Sequence, residues 1–263
     1  MEQKGPSLSA IGTAVHRAAH LLLDDDPKIL VDPFARAFAG YASDAEMLQA
    51  LPSLKMIEFP RMRAVFTVRG RYAEDELAGA IVRGIDQYVI LGAGLDSFAY
   101  RRPDLSASLD VFEVDHPASQ AWKRARVGEL GIAAPAHLHH VPIDFEQRTL
   151  GEGLAESMVD LAKPMFLSLL GVTQYLTTHA TLRTLRDVAA TTAPGSELVF
   201  QFVVPPTTLA GAEAALVKAW AEHNEAAGEP WLSYFEPMEM ERHLLVGGFS
   251  RVVHFGPEEA TER

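Results

Sequence analysis

Three positions in the middle of the chain have the residue types and the spacing of a nucleoside-binding site. An apolar run ends directly at Gly92-Ala93-Gly94, where missing Cβ atoms allow the backbone to approach a ligand. Asp115 ends a second apolar run 21 residues after Gly94, at the distance where an acid binds ribose hydroxyls. Asp144 ends a third run. Because parallel strands share one carboxyl edge, these positions together predict a nucleoside pocket.

The residues that follow Gly94 distinguish between nucleoside cofactors. A dinucleotide fingerprint has Gly or Ala at its third small position, where a pyrophosphate lies on a helix N-terminus, but this chain has Ser97 there. The negative charge of Asp96 opposes a phosphate and suits an ammonium or a sulfonium. S-adenosylmethionine carries both, and its carboxylate could meet Arg69 or Arg71. The residues therefore favour S-adenosylmethionine, with an NAD(P)-dependent oxidoreductase as the alternative.

The elements that must position these residues alternate between strand and helix patterns from residue 85 onward. Apolar, β-branched runs predict strands at 88–91, 109–114, 138–143, 165–169, 197–204 and 251–255. Amphipathic segments predict helices at 117–130, 178–192, 209–227 and 237–246. Unbroken apolar strands separated by helices are typical of a sheet covered on both faces. We expect an α/β domain with a doubly wound, mainly parallel sheet.

Two segments lie outside this alternation. The first 84 residues show helical patterns, with Thr13 as the predicted cap of a helix over 14–23 and further helices around 45–51 and 61–82. A long, aromatic connection follows the fifth strand, and we interpret it as a substrate lid, with a surface helical hairpin as the alternative. We expect one domain that comprises an N-terminal helical cap (1–84), a cofactor-binding core (85–204), a lid insertion (205–236) and the end of the core (237–263).

Composition narrows the class of protein. The 263 residues carry a formal net charge of −12, which disfavours a nucleic-acid partner. There is no cysteine, which excludes disulfides and thiolate metal sites. No apolar run approaches the ~18 residues of a membrane span. His16 and His20 lie one helical turn apart, but no acidic or cysteine pattern completes a metal site. We expect a cytoplasmic protein without a metal, a membrane or a nucleic acid as partner.

Longer motifs give a more specific indication than the glycines alone. LGAGLDSFAYR, FEVDHP, VPIDF and LLGVTQYLT occur in this order, after an N-terminal TAVHRAAHLLLDDDPKILVDPFA. From about Thr13 to the C-terminus, the chain resembles the leucine carboxyl methyltransferase-like proteins, a group that includes bacterial O-methyltransferases of polyketide and other secondary metabolism. The resemblance implies a class I methyltransferase with a Rossmann-like fold. Such folds usually add a seventh, antiparallel strand, so the ending FGPEEATER predicts a short sheet edge or a truncated chain.

The resemblance also implies which residues bind the cofactor. They are Arg17, Arg69, Arg71, Gly92, Ala93, Gly94, Asp96, Asp115, His116, Asp144 and Phe145. Within this set Arg71, or Arg69, would bind the cofactor carboxylate, with Arg17 as a second basic residue for it. The glycines would pass beneath the cofactor, and Asp115 would hold the ribose. Asp144 and the backbone of Phe145 would bind the adenine. Leu170 stands where the family often has Glu, so the contact of that acid is not expected here.

Methyl transfer from a sulfonium needs little from catalytic side chains, because alignment and exclusion of water supply most of the rate enhancement. A carboxylate acceptor is already ionised at neutral pH, whereas a hydroxyl acceptor is helped by a base. Tyr175 and His223 are the candidate catalytic residues. We expect O-methylation of a carboxylate or hydroxyl of a small molecule. A protein carboxyl terminus as acceptor, and a non-catalytic S-adenosylmethionine-binding protein, remain alternatives.

Overall fold

A single parallel sheet organises the computed structural model, which describes residues 7–50, 60–144 and 148–262. Its strands are β1 (Gln87–Leu91), β2 (Asp110–Asp115), β3 (Leu138–Pro142), β4 (Phe166–Leu169) and β5 (Glu197–Phe200). The strand order is β3-β2-β1-β4-β5, and every pair is parallel. The order reverses beside β1, so a topological switch point lies at its carboxyl end, where α/β folds bind their ligands.

Helices precede the sheet, connect its strands and follow it. They are α1 (Leu8–Leu23), α2 (Ala35–Phe38), α3 (Asp44–Ala50), α4 (Pro60–Val82), α5 (Phe98–Arg101), α6 (Pro103–Ser106), α7 (Pro117–Glu129), α8 (Leu150–Ala155), α9 (Thr178–Thr191), α10 (Gly211–Ala226), α11 (Pro237–Val246) and α12 (Pro257–Glu262). Short 3-10 helices lie at Thr173–Tyr175 and Pro206–Thr208. Within the described ranges, none of the helices is both long enough and apolar enough to cross a bilayer.

Alternate residues of β1 pack on opposite faces of the sheet. Tyr88 belongs to the same buried cluster as Leu77 of α4, and Val89 to the same cluster as Leu185 of α9. A third cluster joins the N-terminal helices to α7. All five residues of β1 are buried, which is why the strand reads as an apolar run from Tyr88 to Leu91. The expected doubly wound, mainly parallel α/β fold is confirmed.

Helix α1 and the predicted sixth strand differ from the structure. Helix α1 begins at Leu8 rather than after Thr13, because the Ser7 side chain accepts a hydrogen bond from the Ala10 amide and caps the helix earlier. The predicted sixth strand at 251–255 is not part of the sheet. Instead, the Phe255 ring stacks on Tyr72, with 3.9 Å between ring centroids. A strand forms only where a neighbouring strand accepts its hydrogen bonds, and the aromatic end of 251–255 packs on the surface of α4 instead.

After β5, a hydrogen bond joins the two ends of the segment that follows the strand. β5 ends at Phe200, four residues earlier than predicted. The carbonyl of Val203 then accepts a hydrogen bond of 2.9 Å from the amide of Phe235. Segment 205–236, with α10 at its centre, thus leaves and rejoins the core at neighbouring points.

Candidate functional site

A cavity of about 680 Å³ opens at the carboxyl ends of β1, β2 and β4. Its walls are the first turns of α1, the middle of α4, the loop after β1, the end of β2, the segment after β4, and residues near 228–232 of the insertion. The cavity therefore lies at the switch point of the sheet, and it brings together residues far apart in sequence.

The loop after β1 needs its two glycines for backbone reasons. Gly92 has φ of +69° and Gly94 has φ of +50°, a region that L-residues with a Cβ rarely adopt. A Cβ on Gly92 would also lie 2.5 Å from Cγ2 of Val172. The amides of Gly92 and Ala93 both donate to the Val114 carbonyl, which turns the chain sharply away from the strand. The turn exposes the backbone of residues 92–94 to the cavity.

Asp115 joins this loop to the end of β2. Its Oδ2 accepts a hydrogen bond from the Gly94 amide, and its Oδ1 accepts one of 2.6 Å from the His116 amide. Burial raises the pKa of the Asp115 carboxyl, although both amides act in the opposite direction. His116 caps α7, since its Nδ1 accepts from the Ala118 amide at 3.2 Å. Asp115 and His116 both line the cavity. Because each Asp115 oxygen accepts one of these amide bonds, each still has a lone pair for a ligand hydroxyl.

Asp96 also lines the cavity, one turn further along the loop. Its Oδ1 accepts a hydrogen bond of 2.7 Å from the Phe98 amide and so supports the start of α5. Together with Asp115 it makes this side of the cavity acidic, which is a suitable environment for a cationic ligand group.

Arg69 reaches the cavity from α4. Its Nη1 donates to Oε1 of Gln201 at 2.6 Å, and its guanidinium lies 4.7 Å from the centre of the Phe66 ring. The side chain keeps some accessible surface, but burial of the guanidinium, together with the nearby charge of Arg17, lowers the pKa of Arg69 to about 10. Among the described residues no carboxylate pairs with it. Arg69 is thus a cation that lacks an anion.

Arg17 reaches the cavity from α1 but is already paired. Its Nε donates to Oδ2 of Asp32 at 2.8 Å, and its Nη2 donates to the Leu95 carbonyl at 2.8 Å. The Ser97 hydroxyl donates to the same Asp32 oxygen at 2.7 Å. The buried Asp32 thereby ties the N-terminal helices to the loop after β1. The sequence motif contained Asp32, but nothing in its spacing indicated this role.

Two of the expected cofactor-binding residues, Arg71 and Asp144, do not line this cavity, and a third lies outside the described residues. Arg71 is exposed and its Nε pairs with Asp75 at 2.8 Å, because two residues along a helix rotate a side chain by about 200° away from Arg69. Asp144 follows β3 and does not line the cavity. Phe145 lies outside the described residues.

The two candidate catalytic residues are in different environments. Tyr175 lines the cavity, and its hydroxyl donates to Oδ1 of Asn224 on α10 at 3.2 Å. His223 is exposed on α10 and does not line the cavity. The prediction of His223 as a base therefore lacks a geometric basis, since a base must reach the proton that it removes.

The two histidines of α1 have partners within the protein. His16 stacks on Phe66 with 4.4 Å between ring centroids, and burial, reinforced by Arg63 and Arg69, lowers its pKa to about 3. Nδ1 of His20 lies 2.7 Å from Oδ2 of Asp24. In the parts of the chain that the structure describes, no group of three or more metal-ligating residues converges.

Glu229 of the insertion closes one side of the cavity. Its two carboxylate oxygens accept hydrogen bonds from the amides of Leu8 and Ser9, at 2.7 and 2.9 Å, at the N-terminus of α1. All three residues line the cavity. A carboxylate satisfies the free amides of a helix N-terminus and interacts favourably with its dipole. No pattern in the sequence indicated this contact.

Comparison with known proteins identifies the family. The model of the family "Leucine carboxyl methyltransferase" matches residues 10–189. A Bacillus subtilis (strain 168) protein named "Putative S-adenosyl-L-methionine-dependent methyltransferase YktD" is 34% identical over 220 residues, which span 83% of this chain and 72% of that protein. A Mycobacterium avium (strain 104) protein named "Putative S-adenosyl-L-methionine-dependent methyltransferase" is 30% identical over 228 residues, 83% of this chain and 73% of that one.

Solved structures agree on the fold. A DUF574 family protein from Streptomyces avermitilis superposes with a TM-score of 0.57 at 15% identity, over 91% of this chain and 82% of that one. A "putative methyltransferase" from Thermobifida fusca YX gives a TM-score of 0.55 at 19% identity, over 92% and 80% of the two chains. The family expected from the sequence motifs is confirmed: the chain belongs to the leucine carboxyl methyltransferase family.

Proposed function

We propose that the cavity binds S-adenosylmethionine and that the chain transfers its methyl group to an oxygen, in a carboxylate or a hydroxyl, of a small molecule. Family membership makes the chain an S-adenosylmethionine-dependent methyltransferase. The site assignment rests on one observation, that acidic groups and a guanidinium line the same cavity. The glycine turn, Asp115 at the end of β2, and Arg69, which has no carboxylate partner among the described residues, all line this cavity.

The ribose, the ammonium and the carboxylate of the cofactor each have a matching group in this cavity. Asp115 would accept hydrogen bonds from the ribose hydroxyls, and the backbone of residues 92–94 leaves room for the nucleoside beside it. Asp96 would meet the ammonium, and Arg69 the carboxylate, with Arg17 contributing positive charge nearby. A buried guanidinium favours an anionic partner strongly, because binding that partner removes the cost of an uncompensated charge.

When bound, the cofactor supplies an activated methyl group on a sulfonium. The residues around the cavity would then align the acceptor oxygen with that methyl group and exclude water. Residues 205–236 serve as the lid in this proposal, because Glu229 and Leu232 of this segment line the cavity. A cavity enclosed on this side suits a small acceptor better than a macromolecule.

Calorimetric titration tests the proposal. S-adenosylmethionine and S-adenosylhomocysteine are expected to bind the wild type in the micromolar range, and NADH is not expected to bind. Asp115→Ala is expected to weaken adenosyl binding at least about tenfold, or about 1.4 kcal/mol. Asp110→Ala is the matched control, since Asp110 lies at the other end of β2, is exposed and is outside the cavity. Binding of NADH in place of the adenosyl ligands would support the oxidoreductase alternative.

A second measurement separates an enzyme from a binding protein that only retains the pocket. The protein is incubated with methyl-labelled S-adenosylmethionine and a panel of small alcohols, phenols and carboxylic acids, and the transferred label is counted. Transfer above the background of Asp115→Ala is expected. Tight cofactor binding with no transfer to any member of the panel would favour the non-catalytic alternative.

A further inference from the structure

Arg69 differs from the other arginines of the cavity in the kind of partner that holds it. Within the described part of the chain, two other arginines line the cavity, and each pairs with a buried carboxylate: Arg17 with Asp32, and Arg101 with Glu74. The partner of Arg69 is instead the side-chain amide of Gln201, whose Oε1 accepts a hydrogen bond of 2.6 Å from Nη1. An amide carries no net charge, so the charge of Arg69 stays uncompensated.

The backbone of Gln201 is fixed by hydrogen bonds on both of its sides. Gln201 directly follows β5, and its amide donates to the Leu169 carbonyl at the end of β4 at 3.1 Å. Its carbonyl accepts a hydrogen bond of 2.8 Å from the hydroxyl of the buried Thr173. A side chain that starts from such a backbone can orient its partner precisely. Gln201 does not itself line the cavity, so any effect on a ligand must pass through Arg69.

Two further neighbours confine the Arg69 guanidinium without bringing it a negative charge. The centre of the Phe66 ring lies 4.7 Å from its Cζ. Gly171 has φ of +72°, and a Cβ at this position would lie 2.8 Å from Nη2, so the guanidinium lies directly against the glycine backbone. Residues 170–177, which follow β4, include no acidic residue. The packing therefore places the guanidinium but does not neutralise it.

Most of the hydrogen-bond donors of Arg69 remain available. Among the described residues, the bond to Gln201 is the only hydrogen bond that its side chain makes. A guanidinium also carries N–H donors on Nη2 and Nε, and a ligand carboxylate can accept from such donors with both of its oxygens. A glutamate in place of Gln201 would have nearly the same shape, but it would pair Arg69 with a carboxylate of the protein itself.

We propose that Gln201 is a positioning residue that orients Arg69 and leaves its charge free, so that the protein selects adenosyl ligands that carry the amino-acid carboxylate. This inference rests on the proposed function. The amide oxygen directs the guanidinium through a hydrogen bond, and the cost of the uncompensated charge is removed only when the ligand carboxylate binds. The neutral side chain at position 201 thereby makes this carboxylate a condition of tight binding.

The test compares S-adenosylhomocysteine with its decarboxylated analogue, which keeps the adenosine, the sulfur and the ammonium. Both affinities are measured by calorimetric titration of the full chain. We expect the wild type to bind S-adenosylhomocysteine at least about tenfold more tightly than the analogue, because charge-assisted hydrogen bonds to the carboxylate are strong. Gln201→Glu should lower this ratio of affinities about fivefold or more, because its carboxylate pairs with Arg69 and repels that of the ligand.

Two variants control for shape and for added charge. Gln201→Met keeps the length of the side chain but removes the accepting oxygen, and it should lower the ratio only about two- to threefold, through the loss of orientation. Gln49→Glu makes the same change of charge on α3, at an exposed position outside the cavity. Its ratio should stay within about twofold of that of the wild type, because solvent and salt screen the added charge.

The decarboxylated analogue also reports whether the pocket is intact, since its affinity should be nearly the same in all four proteins. A purely structural role for Gln201 would weaken both ligands equally and leave the ratio unchanged. An unchanged ratio in Gln201→Glu, or an equal loss in Gln201→Met, overturns the inference. If Gln201→Glu binds neither ligand, Gln201→Met decides, and a ratio equal to that of the wild type overturns the inference.

Failure of the proposed function gives a different result from failure of this inference. A wild type that binds neither adenosyl ligand contradicts the proposed function itself. A wild type that binds both ligands equally well contradicts only the roles of Arg69 and Gln201, because the adenosyl group is then still recognised.

Discussion

The loop after β1 and the insertion both line the cavity, and the protein holds them by different means. The loop is anchored by the buried Asp32, which accepts hydrogen bonds from Arg17, Ser97 and the Ala35 amide. The insertion is held by hydrogen bonds, such as those of Glu229 to α1 and of Leu232 to the turn after β4, and by ring contacts such as that of Trp220 with Phe66. The first side is fixed by charges that cannot be left unpaired, the second by contacts that can be broken one at a time.

This difference corresponds to the two tasks of the cavity in the proposed function. The cofactor has a fixed shape and charge, so the loop that binds it benefits from an arrangement without freedom. The acceptor must enter and the product must leave, so the opposite wall benefits from weaker attachments. If substitutions in the loop after β1 and in the insertion lowered stability equally, this difference between the two segments would be contradicted.

The largest effect is expected for Asp32→Ala. The substitution leaves the Arg17 guanidinium buried beside the loop without its carboxylate, and breaking a buried pair costs about 3–5 kcal/mol. The free energy of unfolding, measured in urea, is expected to fall by this amount. Asp104→Ala is the control, because Asp104 pairs with Arg102 at the surface, where such pairs contribute about 1 kcal/mol or less. Equal losses in the two variants would contradict the view that the loop is held by buried charge.

Gly92→Ala tests the loop itself and is expected to cost about 2–3 kcal/mol. A positive φ disfavours Ala by about 1 kcal/mol or more, and the new Cβ would meet the stiff Val172 side chain. Gly92→Ala combined with Val172→Ala should recover the part of this loss that comes from the steric clash. Gly12→Ala, at an open position in α1, should instead stabilise the protein by about 1 kcal/mol. A gain of stability in Gly92→Ala would show that the turn does not require glycine.

Helix α1 should make the stability of the protein sensitive to acid, through His16. The pKa of His16 is about 3 in the folded protein and 6.5 ordinarily. Below pH 6.5, His16 is therefore protonated in the unfolded chain but stays neutral in the folded protein. Stability from this group is complete above pH 6.5 and is lost as the pH falls towards 3, by about 2 kcal/mol between pH 7 and pH 5. His16→Gln should remove this part of the slope, whatever constant cost it adds. Unfolding free energies measured at several pH values check the slope, and equal slopes in both proteins would contradict the assignment.

The fold could be predicted from the sequence wherever a pattern is local. The predicted helix at 237–246 coincides with α11, and the first four predicted strands match β1 to β4 to within a residue. The segment 251–255 could not be assigned in this way. Its apolar residues satisfy a strand pattern, but pairing depends on a free neighbouring edge, and Phe255 packs on Tyr72 instead.

The cofactor and acceptor parts of the candidate site differ in the same way, since only the first follows from local patterns. Positions 92–94 and Asp115 could be predicted to meet, because the ends of parallel strands converge by geometry. The choice of Arg69 over Arg71 needed the rotational phase of α4, which the motif did not give. The pairing of Tyr175 with Asn224 joins positions 49 residues apart, and no local pattern anticipates it. Motifs therefore describe the cofactor side, while the acceptor side follows only from tertiary contacts.

The smallest loss of stability is expected for Glu229→Ala, which tests how the insertion is held. The change removes two hydrogen bonds to the N-terminus of α1, and the cost should be about 1 kcal/mol, because water can reach these amides in the variant. The main consequence should be kinetic, since the carboxylate joins the insertion to α1 across the cavity. In stopped-flow displacement, S-adenosylhomocysteine should dissociate several-fold faster from Glu229→Ala than from Glu225→Ala, in which an exposed acid of α10 is replaced. If the two rates are equal, the insertion does not control access to the cofactor, and its contacts with α1 only add stability.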